Sequence, residues 1–214
     1  MSRITALIIT RHGETEWNRA LKHQGHLDSP LTPAGIQQAQ ALAESLKDQP
    51  IAALYSSDLG RAMATAAILG AALDLTVQAE PRLRENSLGI LQGLTLDEFK
   101  ERHPQRYREY LRRDPDYALP GGESLRQFHH RTMACLTEIV ARHPGQTILA
   151  VGHGGTLGCI FREVFRIPFG EPRHFSLKNV SYNLFTIRDG QWRLETWGQT
   201  SHLRNIATLD ELRS

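Results

Sequence analysis

The strongest constraint in this chain is a boundary. In LIITRHGETEWN, Leu7–Asn18, a β-branched apolar run stops abruptly on Arg11-His12-Gly13. A short apolar run bounded by polar residues suits a strand buried on both faces of a parallel sheet. The pattern recurs: IAALYSS leads into the helical SDLGRAMATAAILGAAL, and TILAVGH leads into GGTLGCIFREVF. Strands alternating with helices predict an α/β chain with a mostly parallel sheet. In such sheets reactive side chains collect at the carboxyl ends of the strands. RHGE, SSDLGR and GHGG stand at three of those ends.

The remaining stretches fill in the frame. LTPAGIQQAQALAESLKDQP predicts a helix with Thr32 as N-cap, Pro33 in the first turn and Pro50 as terminator. Its buried face is expected to hold Ile36, Ala39, Ala43 and Leu46. The helix after IAALYSS is expected to begin at Ser57 or Asp58, and LTVQAE reads as a short third strand. PRLRENSLGILQGLT carries Gly89 and Gly93 without a clean period and reads as a functional loop. LDEFKERHPQRYREYLRR is charged and helical, disturbed by Pro104, and DPDYALPGGES is a loop. Leu125, Phe128, Thr132, Leu136 and Ile139 recur at helical spacing, and NLFTIRDGQWRLETW predicts a hairpin turning on Asp189-Gly190.

With 214 residues, 40% of them hydrophobic, the chain suits one sizeable domain. A net charge of +2, from 25 basic and 23 acidic residues, argues against a nucleic-acid or membrane-surface protein. Attraction for anions must then come from a local cluster. No apolar stretch approaches a membrane span. The start, MSRITALIIT, lacks a small-residue cleavage site and reads as a first strand, not a signal peptide. Cys135 and Cys159 lie in apolar stretches without metal-like spacing and read as reduced, buried thiols. These features together point to the cytoplasm. The oligomeric state stays open, a homodimer included.

The cluster at the strand ends is Arg11, His12, Arg61 and His153, with Glu85 on the glycine-bearing loop. Two arginines and two histidines make a pocket for a compact dianion, because the planar guanidinium fork matches two phosphoryl oxygens and stays charged. The glycines of GHGG let backbone N–H groups at a helix start approach an oxyanion. Hydrolysis needs a nucleophile and a proton donor as well. His12 can attack through a neutral ring nitrogen if the other nitrogen is held as a donor. The surrounding positive charge should keep that ring unprotonated. Glu85 would then protonate the departing alcohol and later take a proton from water.

LIITRHGETEWN resembles the signature of the histidine phosphatase superfamily, the phosphoglycerate mutase-like proteins. The likeness continues in the family's order through QGHLDSPLTPAG, YSSDLGRAMATA, RLRENSLGILQG, PGGES and VGHGG, and so spans nearly the whole chain. It implies a three-layer α/β/α sandwich forming a single domain over 1–214, with a lid-like insertion over 86–120. By position, it implies His12 as the phosphorylated nucleophile, Arg11, Arg61 and His153 as phosphate grips, and Glu85 as the acid/base. Asn18, Gln24, Gly25 and the Gly154 backbone would line the pocket. The partner implied is a small-molecule phosphate ester, with no cofactor and no metal.

The departures from the family pattern also speak. Its cofactor-dependent mutases usually follow the acidic residue with Arg-His-Tyr-Gly, whereas here Asn86-Ser87-Leu88-Gly89 follows Glu85. The arginine that resemblance would assign to a phosphoglycerate carboxylate is absent, and the chain is shorter than those mutases. The tail TSHLRNIATLDEL resembles that of bacterial mutase-like phosphatases, the branch of broad specificity. Hydrolysis is therefore expected, with a phosphoglycerate mutase and a catalytically silent phosphate-binding module as the alternatives. Taken singly, each site residue has a plainer reading: His153 as a satisfied core histidine, Arg61 as a helix cap, Glu85 as a surface ion pair. GHGGTLG has one residue too many between its glycines for a dinucleotide fingerprint. His23, His26, His129 and His130 lack ligand companions and are expected to be solvated. The basic stretch around Tyr107 and Tyr110 reads as a charged lid or a solvated face rather than a surface for RNA.

Overall fold

The computed structural model describes residues 3–204 and 206–210. Its strands in chain order are β1 (Thr5–Arg11), β2 (Ile51–Ser56), β3 (Val77–Ala79), β4 (Thr147–Gly152), β5 (Tyr182–Arg188) and β6 (Gln191–Gln199). Its helices are α1 (Glu16–Arg19), α2 (Pro33–Leu46), α3 (Gly60–Leu73), α4 (Leu96–Arg102), α5 (Pro104–Tyr110), α6 (Leu125–Ala141) and α7 (Gly154–Phe165). The strands form one sheet in the order β3-β2-β4-β1-β5-β6. The β3-β2-β4-β1 part is parallel, and β5 and β6 join it antiparallel.

Alternation along the strands divides the core between the two faces of the sheet. Leu7 and Ile9 point to the side of Ile148, Ala150 and Phe185, where α6 and α7 pack through Phe128, Leu136, Leu157 and Ile160. Ile8 points to the side of Leu54, Leu149 and Val151, where α2 and α3 pack through Leu42, Leu46, Ala66 and Leu69. The result is the expected three layers. Each fully buried Leu or Ile stabilises the assembly by about 1.5–3 kcal/mol. β1 is apolar throughout its middle because both of its faces are covered.

Several local expectations need correction. Ile36 is 41% exposed; the inward stripe of α2 holds Gly35, Gln38, Ala39, Leu42, Ala43 and Leu46. The polar Gln38 is admitted because its carbonyl oxygen accepts from the Glu14 amide at 3.0 Å. α3 starts at Gly60, not at Ser57 or Asp58. Its first amides are met from elsewhere: Asp28 accepts from Gly60 N at 2.7 Å and Arg61 N at 3.3 Å. Asp58 is occupied by the Arg84 guanidinium, at 2.7 and 2.6 Å. Pro104 splits the charged stretch into α4 and α5 and occupies the first position of α5, where its missing N–H costs nothing. The hairpin turns as expected, with Asp189 at φ 51° and Gly190 at φ 75°. Both cysteines are buried and free, and burial pushes the Cys135 thiol up to about 12.

The stretch following Glu85 builds a small core of its own. Leu91, Phe99 and Leu119 are buried together, with Tyr107, Tyr110 and Tyr117 packed around them. Its base is tied where Leu88 bridges Gly122 and the Ile90 amide donates to the Pro120 carbonyl at 3.1 Å. Gly89 sits there at φ 50°, and a Cβ would stand 2.1 Å from the Pro120 oxygen, so no other residue fits. Among the described residues, no helix is long and apolar enough to cross a membrane. Asn205 and residues 211–214 of the TSHLRNIATLDEL tail and C-terminus lie outside the described residues.

Candidate active site

Sheet register brings the two histidines together. Arg11 pairs with Gly152, so His12 and His153 leave adjacent parallel strands side by side. The His12 amide donates to the Gly152 carbonyl at 3.0 Å, and the two rings meet edge to face with centroids 5.3 Å apart. Ser56 pairs with Val151 on the next strand, which sets Ser57 Oγ 2.8 Å from His153 Nε2. The ends of β2, β4 and β1 thus form one row.

The tautomer of His12 follows from its contacts. Nδ1 lies 2.8 Å from the Gly13 carbonyl, an acceptor, so Nδ1 carries the hydrogen. The lone pair is left on Nε2, which accepts from Arg61 Nε at 3.2 Å. Burial holds the His12 pKa well below the usual imidazole value, and the charges of Arg61 and Arg11 push it further down. Burial lowers His153 in the same way, reinforced by Arg61, His12 and Arg11. Both rings are neutral at pH 7.

Arg61 projects from the first turn of α3 and is clamped: Nη1 donates to Asp28 Oδ1 and the Leu27 carbonyl, both at 2.7 Å, and Nη2 to the Gly25 carbonyl at 2.8 Å. Arg11 Nη1 donates to the Leu177 carbonyl at 2.9 Å. Both side chains are almost wholly buried. Concentrating guanidinium charge in a dry site is costly unless an anion joins it. Glu85 faces them from its loop. Its carboxylate accepts from the amides of Asn86 at 2.8 Å and Gly155 at 3.0 Å, the latter in the first turn of α7. A Cβ on Gly155 would stand 2.1 Å from Glu85 Oε1, which explains the last glycine of GHGG.

These groups surround a cavity of about 140 Å³ lined by Arg11, His12, Asn18, Gln24, Gly25, Arg61 and Glu85. Two expected residues stand elsewhere. His153 lies behind His12, with no exposed surface. Gly154 faces a neighbouring cavity, because Gly155 is the residue that the turn of α7 presents to this one. Lys22, His23, Asn86, Leu88, Tyr110 and Gly155 complete the wall; Asn86, Leu88 and Tyr110 belong to the stretch expected to act as a lid, whereas Lys22 and His23 were not foreseen there. Nor were the supports. Asn179 Nδ2 donates to the His12 carbonyl at 2.9 Å across 167 residues. Arg131 on α6 donates to the carbonyls of Arg82, Arg84 and Glu85 at 2.9–3.0 Å and pairs with Glu123, so it straps down the segment carrying Glu85. Asp28 stands inside QGHLDSPLTPAG, Asn86 and Leu88 inside RLRENSLGILQG, and Glu123 inside PGGES, all stretches that carry the family resemblance.

The other histidines differ from expectation. His23 and His129 are buried rather than solvated, and the His26 ring donates to the Glu85 carbonyl at 2.9 Å; His130 is exposed. Among the described residues, no group of three or more His, Cys, Asp or Glu is placed to hold a metal ion.

Comparison with known proteins agrees with the geometry. The family model for the histidine phosphatase superfamily (branch 1) matches residues 7–200. Phosphoglycerate mutase-like protein 4 of Arabidopsis thaliana is 39% identical over 95% of this chain and 89% of its own length. The metal-independent phosphoserine phosphatase of the same plant is 36% identical, over 97% and 87% respectively. The solved structure of Bacillus stearothermophilus YhfR superposes with a TM-score of 0.85 at 32% identity, covering 93% of this chain and 99% of that one. The chain belongs to the histidine phosphatase superfamily.

Proposed function

We propose that this protein hydrolyses phosphate monoesters of small molecules through a phosphohistidine on His12. Its class, a phosphoric monoester hydrolase, follows from the family and its phosphatase-named members. The observation that carries the mechanism is the tautomer of His12 beside a cavity lined by two buried guanidinium groups: the Nδ1 contact to Gly13 leaves the lone pair on Nε2, where Arg61 Nε donates to it at 3.2 Å until that guanidinium turns to the phosphoryl oxygens. Arg11 and Arg61 bind the phosphoryl oxygens, and the His153 ring supports His12 from behind. Nε2 attacks phosphorus, the bond to the ester oxygen breaks, and a proton from Glu85 neutralises the departing alcohol. Water then attacks the phosphohistidine, Glu85 takes its proton back, and phosphate leaves. The guanidinium groups supply the charge neutralisation, so the reaction is metal-independent. Asn18, Gln24, Gly25 and the amides at the start of α7 shape the phosphate end, and the insertion over 86–120 acts as a lid over the alcohol end. The two buried free thiols, Cys135 and Cys159, support a cytoplasmic location.

Hydrolysis is preferred to mutation because Asn86 and Ser87 follow Glu85. The Ser87 amide donates to Glu123 at 2.9 Å and ties the lid base, where a mutase would need a cation for a carboxylate. The test is release of phosphate from 4-nitrophenyl phosphate in excess chelator, with acid-labile labelling of His12 during turnover. Activity that vanishes with chelator, or a label on another residue, overturns the reading. Bisphosphoglycerate-dependent transfer between the hydroxyls of phosphoglycerate, without net hydrolysis, would make the protein a mutase. Phosphate binding with neither activity would make it a silent binding module.

A further inference from the structure

The reaction cavity continues past Glu85. A cavity of about 210 Å³ shares Asn86, Leu88 and Tyr110 with it, and another of about 200 Å³ shares Asn86 and Gly155. Both run to Arg162, in the last turns of α7. The walls on the way are apolar: Leu88, Leu119, Leu125, Tyr117 and Phe169. The far end is ionic. Arg113 and Arg173 face the same space as Arg162.

Most of the other charges there are already engaged or lie in solvent. Glu123 is committed to Arg131 and the Ser87 amide. Asp114 is exposed and accepts from the Asp116 amide, and Arg173 is paired with Asp210 at 3.3 Å. Glu171 is exposed, and its carbonyl, not its carboxylate, meets Arg162. Arg162 is half-buried and, among the described residues, makes no ion pair. Its Nη1 donates to the Pro168 carbonyl and its Nη2 to the Glu171 carbonyl, both at 2.7 Å. That duty staples the turn after α7 and uses one hydrogen on each terminal nitrogen. The Nε hydrogen and one more on each terminal nitrogen stay available for an acceptor in the trough. Burial lowers the Arg162 pKa, and the charge of Arg113 acts in the same direction, opposed by the nearby Glu171 charge.

We propose that this trough is the subsite for the leaving alcohol, and that Arg162 takes an oxyanion at its far end. Resting on the phosphatase reading above, this names a substrate class: a phosphate monoester whose alcohol has an apolar or aromatic body ending in a carboxylate or a second phosphoryl group. The apolar walls bury the body, and the guanidinium fork binds the terminal group.

The experiment compares kcat/KM for biphenyl-4-yl phosphate with that for its 4′-carboxy and 4′-phosphono derivatives. The wild-type protein should prefer the anionic substrates by about tenfold or more, the effect of one charge-assisted contact. The better of the two derivatives identifies the terminal group. Arg162→Gln should bring the ratio of anionic to neutral substrate close to unity, and Arg162→Lys should retain part of the preference. The wild-type ratio needs no variant, so a misfolded mutant cannot rescue the idea. A wild-type ratio near one, or a ratio that survives Arg162→Gln, overturns the subsite while leaving hydrolysis intact. Hydrolysis of none of the three, nor of 4-nitrophenyl phosphate, instead removes the phosphatase reading on which it rests.

Discussion

The two ends of the cavity are built on different principles. The proposed phosphate end is assembled from the tips of three adjacent strands, and its geometry is as stiff as the register that sets it. Arg11, His12, Arg61 and His153 are buried, and the first three are anchored on the carbonyls of Leu177, Gly13, Leu27 and Gly25. The other end, proposed to take the alcohol, is assembled from the stretch after Glu85, which has a small core of its own and is held by Arg131 and the 87–90/119–122 tie. A site can thus keep one reaction and change its substrates, because the parts that choose the alcohol can vary without disturbing the sheet.

The largest test of that contrast is His12→Ala. It should lower turnover of every substrate by about 10⁴-fold or more and abolish acid-labile labelling, because no neighbour can replace the nucleophile. A quenched-flow label that persists would break the assignment. Next is Glu85→Gln, which spans both ends. It should slow alkyl phosphates by about 10²–10⁴-fold and leave 4-nitrophenyl phosphate far less affected, since a good leaving group needs no proton. Equal slowing across a leaving-group series would remove its role as acid. Arg61→Lys should cost about 10²–10³ in kcat/KM, for loss of the fork that reaches Gly25, Leu27 and Asp28 as well as the phosphoryl oxygens.

Phe99→Ala sharpens the comparison from the other side. It removes the buried centre of the insertion's core, a loss of about 3–5 kcal/mol of local packing. Limited proteolysis should then cut within 88–119 while the sheet stays protected. Cleavage that spreads at once to the β1–β4 region would show that the two ends are one cooperative unit.

The smallest expected effect is on stability against pH. His12 and His153 have folded pKa values below the unfolded value of about 6.5, so the unfolded chain takes up protons first as the pH falls. Their contribution is fully present above about pH 6.5 and is lost below it, by up to about 1.4 kcal/mol per pH unit for each ring. Urea unfolding at pH 7.5, 6.5 and 5.5 measures this. His12→Asn should flatten the slope, and an unchanged slope would mean that these rings carry no such linkage.

Much of the site could be read before folding because its chemistry is local in sequence. Strand ends are marked by the abrupt change from apolar runs to Arg11-His12 and His153, and a glycine beside each marks close backbone approach. The alternation of strands and helices was equally legible, since burial on both faces leaves little choice of residue. Where reading failed, the cause was a partner distant in the chain. Asp28 moved the start of α3, Arg131 came from a helix face with nothing unusual in its spacing, and Asn179 reached His12 across the sheet. Ile36 looked buried by period but faces outward, because Gly35 and Gln38 meet the backbone of Glu14 on the inner side.

From composition and order alone came the layers, the strand ends and four residues that meet at the cavity: Arg11, His12, Arg61 and Glu85. Side-chain chemistry and periodicity act within a few residues, and a linear string records them directly. The pairing of His12 with His153, the choice of Gly155 over Gly154, and the trough ending at Arg162 needed the folded chain. Strand register, helix phase and long-range hydrogen bonds set those distances, and each depends on residues separated by scores of positions.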